Sequence, residues 1–331
     1  MQATISDIAK EAGVCIATVS RVMNSSEKVS EATRAKVEAA MKKFDYSPSV
    51  IARGLKSKSM KTIAIVVKSF TMLHHMRIAH EINSHFSKQG YDVIMFETGP
   101  VTDDISLFIK RMFNRSIDGF IFIGSAFQIL PDVDELDQLF KNIPVVIANG
   151  WVEGAYGLLV DEEKGMSQMA GYLKEHGRRH IIYMECNDTL SSENKKRGFV
   201  KATEGMDGCK IYDATNTVEG IMYAVEVILS KEEHVDAIMC EEDNLAIKVI
   251  AALHRKGLNV PEDIAVTGFN DSEYATLAYP YITTVDNKAI EQGRFCSALL
   301  DDILSGRNSD EYKEKKVLKV LQTELVIRKS T

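Results

Sequence analysis

The sequence lacks any apolar run approaching the roughly 18 residues needed to cross a membrane. Its start, MQATISDIAKEAG, carries acids and no apolar stretch of signal-peptide type. These absences predict a cytoplasmic chain with no membrane partner. Cysteine is sparse and scattered. Cys15, Cys186, Cys209, Cys240 and Cys296 are odd in number and form no C-x-x-C pair, which disfavours both a disulfide framework and a zinc site. No Gly-rich phosphate loop follows the first apolar segment, and no nucleophile–base–orienter set is visible. Neither an enzyme nor a cofactor is therefore expected.

What is present is an uneven distribution of charge. The 331 residues carry a net charge of −7, which by itself argues against a polyanionic partner. Residues 1–61, however, hold 11 Lys and Arg against 6 Asp and Glu, a net of +5. The remainder holds 29 basic and 41 acidic residues, a net of −12. A small basic head on an acidic body suggests a nucleic-acid-binding module carried by another domain.

The head has a recognisable texture. In TISDIAKEAGVCIATVSRVMN (4–24), Ile5, Ile8, Ala9 and Ala12 share one helical face, and Val14, Val19 and Val22 form a second apolar set. Gly13 lies between them, where a tight turn needs a residue tolerant of positive φ. Two short helices crossing at such a turn make either a helix-turn-helix or an ordinary helical hairpin. A third helix is expected after Ser30, with Val37, Ala40, Met41 and Phe44 at helical spacing. YSPS (46–49) ends it. The short segment SVIARGL (49–55) and the basic stretch KSKSMK (56–61) then lead into the body.

From Thr62 the pattern changes. Apolar runs at 62–67, 92–97, 119–124 and 144–148 alternate with helical segments, and the alternation restarts at 180–184, 237–240 and 263–269. This predicts two parallel α/β sheets in two similar lobes. A long helix ending near Leu304 and one last strand from Val317 to Ile327 complete the chain.

Taken together, these pieces resemble the lactose-repressor family of bacterial transcription regulators over essentially the whole chain. The carriers are DIAKEAGV, ATVSRVMN, VSEATRAKVEAAM and YSPSVIARGLKSK in the head, and GFND (268–271) and ITTVD (282–286) in the body. The resemblance implies a small all-α helix-turn-helix head and a two-lobed, periplasmic-binding-protein-like α/β core with parallel sheets. The expected divisions are 1–48 for the head and 49–61 for the hinge helix and linker. The first lobe is expected at 62–160 plus 289–319, and the second at 161–288 plus 320–331. The implied function is repression from a pseudo-palindromic operator by a homodimer, with a small effector between the lobes controlling hinge folding.

By the same resemblance, Ile16, Ala17 and Arg21 face base edges. Arg21 can donate two hydrogen bonds to a guanine, whereas Ile16 and Ala17 offer only apolar contact. For Ile16 a contact in the core is the alternative. Thr4, Thr18, Ser20 and Asn24 are short and polar and suit phosphates, which fix register rather than sequence. Cys15 stands where the family usually has a serine N-cap. In the hinge, Leu55 matches a leucine that wedges into the minor groove, with Arg53, Lys56 and Lys58 on phosphates around it.

Ligands of two-lobed α/β proteins bind at the carboxyl ends of strands, in the crevice between lobes. That rule selects Lys68, Phe70, His74, Asn149, Trp151, Lys195, Glu242 and Asn270, with Arg197 as an alternative to Lys195. Asn149 and Asn270 stand where sugar-responsive relatives often have Asp. Together with Lys68, they suggest a sugar-like ligand of anionic type, such as a sugar phosphate or sugar acid. Glu242 counts against that idea, and the lysines have a solvent-facing alternative. Trp151 suits either a sugar face or the core.

His74, His75, His80 and His85 crowd one region. In HEINSH the outer histidines are five apart and diverge by roughly 140° on a helix, so a solvated helix is expected there and no metal. Two other readings compete with this one. A catabolite-control regulator answering to a phosphorylated carrier protein should have an aromatic near Ile290 and a basic residue near Ala298, and both are missing. A transport-type sugar-binding protein fits poorly with a basic head.

Overall fold

A computed structural model describes residues 3–23, 28–46, 59–99, 108, 112, 116–128, 140–307, 314 and 316–331. Asn24, Arg53, Leu55, Lys56 and Lys58, and with them most of the expected hinge, lie outside the described residues. The chain divides into two units, residues 1–61 and 62–331.

In the first unit, helix α1 (Ile5–Ala12) starts at a capping box. The Thr4 hydroxyl accepts from the Asp7 amide at 3.4 Å, and the Thr4 amide donates to Asp7 Oδ2 at 2.9 Å. Gly13, at φ 64°, ends it with its amide on Lys10 O, and the Val14 amide reaches back to Ala9 O. Helix α2 spans Ile16–Met23 and α3 Glu31–Lys43, the latter capped by Ser30. Ile8, Ala9, Ala12, Val19, Val22, Val37 and Ala40 form one small buried cluster. Phe44 does not join it. That residue caps α3 and is exposed, because the helix ends before its ring can turn inward.

In the second unit, strands β1 (Thr62–Val67), β2 (Asp92–Glu97), β3 (Gly119–Ile123), β4 (Val145–Ala148) and β5 (Tyr156–Val160) belong to one parallel sheet. Its order is completed by β11 (Val317–Leu321), giving β11-β5-β4-β3-β1-β2. Alternate residues of β1 enter different cores: Ile63, Ile65 and Val67 meet one cluster, and Ala64 and Val66 the other. A sheet buried on both faces requires such continuous apolar strands. Helices α4 (Leu73–Lys88) and α10 (Ala289–Ser305) pack together against the first face.

The chain leaves this sheet after Val160 and enters α5 (Glu162–Glu175) of the second lobe. There β6 (Ile181–Glu185), β7 (Lys210–Asp213), β8 (Ala237–Cys240) and β9 (Ala265–Thr267) form a parallel sheet of order β7-β6-β8-β9. Helices α5 and α6 (Leu190–Ala202) cover one face. The other face is covered by α7 (Val218–Lys231), α8 (Asp243–Arg255) and the short α9 (Glu273–Leu277).

The expected single last strand is two. β11 pairs with β5 in the first lobe, whereas β12 (Glu324–Val326) pairs antiparallel with β10 (Thr284–Asp286) in the second. The break has a physical cause. Thr323 Oγ1 donates to Asp161 O at 3.2 Å and Gln322 Nε2 to Asp161 Oδ2 at 3.4 Å, so the tail is tied to the neighbouring crossover between lobes. The expected boundary at 319/320 cuts β11, which belongs to the first sheet as far as Leu321.

Candidate functional site

Two regions gather the functional side chains. In the head, Val19 and Val22 turn α2 toward the core and leave Ile16, Ala17 and Arg21 exposed on the same helix. Ile16 is 49% exposed, so the alternative of a core contact is not what the fold shows. Thr18 and Ser20 are half-buried. The Cys15 carbonyl accepts the first amides of α2, from Thr18 at 2.8 Å and Val19 at 3.2 Å. Its Sγ lies 3.2 Å from Thr18 Oγ1, a contact that holds the thiol below its ordinary pKa. The Thr4 side chain is engaged in the α1 cap.

In the second unit, the two lobes meet over a polar cleft at the carboxyl ends of their strands. One cavity of about 210 Å³ includes Lys68, His74, Asn187, Glu242, Asp243 and Asn270 in its lining. A second, of about 40 Å³, shares several of these and adds Asn149, Glu162, Lys195, Glu241 and Asn287. The fold thus brings together six sequence-selected residues: Lys68, His74, Asn149, Lys195, Glu242 and Asn270.

Three others fall elsewhere. Trp151 donates from Nε1 to Ala155 O at 3.0 Å, within its own turn, and packs over Gly157. Phe70 is exposed and lines neither cavity. Arg197 pairs with Glu163 at 3.1 Å on the outside of the second lobe, since it sits two helical positions beyond the inward-facing Lys195.

Hydrogen bonds between described residues cross the cleft. Asn149 Nδ2 donates to Glu162 Oε1 at 2.9 Å, and Arg77 Nη1 to Asp271 O at 2.7 Å. The Ser191 amide donates to Ser125 Oγ at 3.2 Å, and Asn270 Nδ2 lies 3.3 Å from His74 Nδ1. Asn270 and Asp271 both have positive φ, which aims the GFND loop at the first lobe. Asn287 Nδ2 in turn holds Asn270 Oδ1 at 2.8 Å.

The electrostatics are acidic. Glu241 accepts from the amides of Cys186 and Asn187 and from Ser192 Oγ. Glu162 accepts from Asn149, Ser191 and Asn194. Lys195 is buried, with Nζ donating to Glu241 O at 3.3 Å and lying 4.5 Å from the Phe269 ring centroid. Burial works against its charge, but Glu162, Glu241 and Glu242 outweigh that and keep the ammonium above its ordinary pKa. Burial pushes Glu242 up, with Lys195 opposing and Glu241 reinforcing the shift. Buried Asp243 accepts from Thr284 and Ser272, yet burial raises it to about 7.

His80 and His85 lie on the solvent side of α4, as expected, but His74 and His75 do not. His75 is buried, and burial, with Lys195 and Lys68 nearby, lowers its pKa to about 3. His74 is held well below its ordinary value by burial, His75 and Lys195. Among the described residues no three His, Cys, Asp or Glu side chains gather as a metal site. Sequence reasoning missed Glu162, Glu241, His75, Asn187, Ser191 and Asn287. Position gave the available signal, because Glu241 directly follows β8 and Glu162 closely follows β5.

With this geometry in place, comparisons with known proteins are decisive. Residues 4–49 match the family described as bacterial regulatory proteins, lacI family, and residues 170–331 match the periplasmic binding protein-like domain. The chain belongs to the lacI family. A relative, the HTH-type transcriptional repressor PurR of Vibrio atlanticus strain LGP32, is 29% identical over 96% of both chains. The solved complex of the transcriptional regulator CelR with cellobiose is 26% identical, with TM-score 0.68, covering 99% of this lacI-family chain and 100% of that one. The lac repressor dimer bound to operator and the anti-inducer ONPF has TM-score 0.82 over 100% of this chain and 99% of that one. At 22% identity this last likeness speaks for the fold. No described helix is long and apolar enough to cross a membrane.

Proposed function

We propose that this chain is a transcriptional repressor that binds a pseudo-palindromic operator as a dimer and responds to a small polar effector held between its lobes. The observation that carries the reading is the outward row of Ile16, Ala17 and Arg21 on a helix whose other side is locked into the head core. Such a helix presents a major-groove reading face. Arg21 supplies hydrogen-bonded base readout, Ile16 and Ala17 apolar contacts, and Thr18, Ser20 and Asn24 phosphate contacts. Thr4 also stands near the helix start and adds a phosphate contact from the α1 cap. Arg53, Leu55 and Lys56 supply the minor-groove contacts that the resemblance implies. The repressor acts without enzymatic chemistry and in the cytoplasm, where its DNA lies.

The dimer has support in the second lobe. Tyr223, Leu277, Tyr279 and Tyr281 are large apolar side chains left exposed on α7 and α9 and in the loop that follows, with Tyr279 at 86% and Leu277 at 72%. Side chains of this kind favour burial against another surface, and a second copy supplies one. Two heads then read two half-sites about one helical turn apart.

Selection from random DNA followed by gel shift tests this reading. The expected product is an inverted repeat bound by two chains, with Leu55→Ala weakening it far more than non-specific DNA. Recovery of no DNA, or equal losses on both DNAs, contradicts the proposal.

A further inference from the structure

We propose that Lys288 is a pivot between the two lobes. Its side chain, clamped by Asp286 and Glu324, holds its own backbone in the left-handed conformation that directs α10 out of the second lobe, and freeing the side chain lets the lobes move apart. The pivot does not depend on what the cleft binds; only its effect on operator binding rests on the effector reading above.

Lys288 lies where the chain crosses from β10 in the second lobe to α10 in the first. It is the N-cap of α10, and its carbonyl accepts the Gln292 amide at 2.9 Å. An N-cap residue ordinarily has an extended backbone and a side chain that accepts an early amide of its helix. Thr4, Ser30, Thr189 and Thr217 do both. Lys288 does neither: φ is 62° and ψ 43°, and its side chain makes no cap bond. In that region Cβ crowds the following carbonyl. Asn149, Asn270 and Asp271 also have positive φ, but short polar side chains ease such a backbone by local hydrogen bonding. A lysine side chain carries no acceptor with which to do so. Its backbone must be held from outside.

Asp286 supplies that hold. Its Oδ1 accepts the Lys288 amide at 2.7 Å, and its Oδ2 accepts the ammonium at 2.9 Å. Glu324 Oε2, on β12, takes the same ammonium at 2.5 Å. Asp286 and Glu324 stand opposite each other in the β10–β12 ladder, so one ribbon positions both carboxylates. The Lys288 side chain is 18% exposed. Burial works against its charge, but Glu324 and Asp286 outweigh that and hold the ammonium above its ordinary pKa. Glu324 is itself largely exposed, so the two-point contact with Asp286 carries the larger share.

On the other side, the first turn of α10 grips the same crossover, with Gln292 Nε2 donating to Asn287 O at 2.7 Å. Lys288 therefore passes the position of the β10–β12 ribbon to the long helix that packs with α4 on the first sheet. The other two crossovers, at Asp161 and at Gln322 and Thr323, are tied to each other and contain no residue of positive φ. Domain hinges are a few element-terminal residues that absorb a change of φ and ψ. Lys288 is the residue of the three crossovers with such a change stored in it.

Hydrogen exchange at the Gln292 amide of the full chain, with small-angle scattering, tests the pivot on two variants. Lys288→Met keeps the backbone cost and loses the clamp, whereas Lys288→Gly loses both. The Met variant should exchange about tenfold faster than the parent, as the cost of a left-handed non-glycine residue implies, and have a larger radius of gyration. The Gly variant adopts the conformation freely and should stay within about twofold of the parent. High salt should move the parent toward the Met variant and leave the Gly variant unchanged. A Met variant that exchanges at the parent's rate overturns the inference. So does a Gly variant as loose as Met, since the ion pairs rather than the backbone they hold would then join the lobes. Operator binding by the same samples separates the two levels. An affinity altered in Met and restored in Gly supports the pivot and its link to DNA. Exchange that follows the expected pattern while operator affinity ignores it leaves the pivot standing and contradicts the coupling of lobes to DNA in the effector reading.

Discussion

Arg77 of the first lobe donates from Nη1 to the backbone carbonyl of Asp271 in the second, at 2.7 Å. Asp271 is itself fixed by Arg328, whose Nη2 lies 2.6 Å from its carboxylate. The carbonyl is therefore presented by a braced loop, and Arg77 acts as a latch across the cleft. A hydrogen bond from a charged donor contributes about 1.5–3 kcal/mol. Arg77→Met should shift the lobes toward separation and weaken effector binding roughly tenfold, since about 1.4 kcal/mol corresponds to a factor of ten. Small-angle scattering of the unliganded chain should show a larger radius of gyration. An unchanged radius with unchanged affinity would show that the other cross-cleft bonds suffice.

Arg21 should behave differently from the phosphate-facing residues. Its exposed guanidinium on α2 can read a guanine edge with about 1–3 kcal/mol of discrimination. Arg21→Met should therefore reduce the ratio of operator to random-DNA affinity by roughly 5- to 150-fold. Titrations at several salt concentrations provide the check. A loss of the same size on both DNAs would make Arg21 a phosphate contact instead.

The sequence displayed the architecture because buried parallel strands leave a plain trace. TIAIVV and AIMC are continuous apolar runs and emerge as β1 and β8. Strands without that trace went unseen. β7 is a half-polar edge strand, KIYD, and β10 has three residues whose pairing depends on β12. The cleft followed the same logic. A residue just after a strand, such as Lys68 or Glu242, can be placed by topology. The side to which a helical side chain points cannot: Lys195 faces inward and Arg197 outward on one helix. Trp151 was misleading because its indole N–H finds a carbonyl four residues on. The carboxylates missed, Glu162 and Glu241, make the cleft more acidic than the sequence suggested.

Stability should depend on pH through groups buried at the cleft. His75 ordinarily titrates near 6.5 and is held near 3 in the fold. Between those values the unfolded chain binds more protons, so stability falls as pH drops, by about 1.4 kcal/mol per unit. His74 is shifted in the same direction. Asp243, raised from 3.8 to about 7, has the opposite sign, with the folded chain binding the extra proton in that window. Between pH 6.5 and 4 one histidine and Asp243 roughly cancel, and Glu242, also raised by burial, opposes the other histidine. His75→Gln should remove the His75 share, changing the slope by about 1.4 kcal/mol per unit relative to the parent chain. Urea unfolding of both chains across this range decides the matter. Parallel slopes would mean that His75 does not titrate as its burial requires.

Cys15 offers a gain of stability. α1 and α3 begin with side-chain oxygens that accept a backbone amide, from Thr4 and Ser30. α2 begins after a thiol whose sulfur lies against Thr18 Oγ1. Sulfur is a weak acceptor, so the Thr18 amide relies on the Cys15 carbonyl at 2.8 Å. In Cys15→Ser the side-chain oxygen can accept the same amide, as Ser30 does from Thr33 at 3.3 Å. A hydroxyl cap in place of a poor one contributes about 0.5–1 kcal/mol. Amide exchange at Thr18 and Val19 in the full chain should slow about two- to fivefold, the factor to which that free energy corresponds. Because α2 carries Ile16, Ala17 and Arg21, a firmer first turn should also tighten operator binding. Exchange that stays the same or quickens would show that the thiol already serves as the cap.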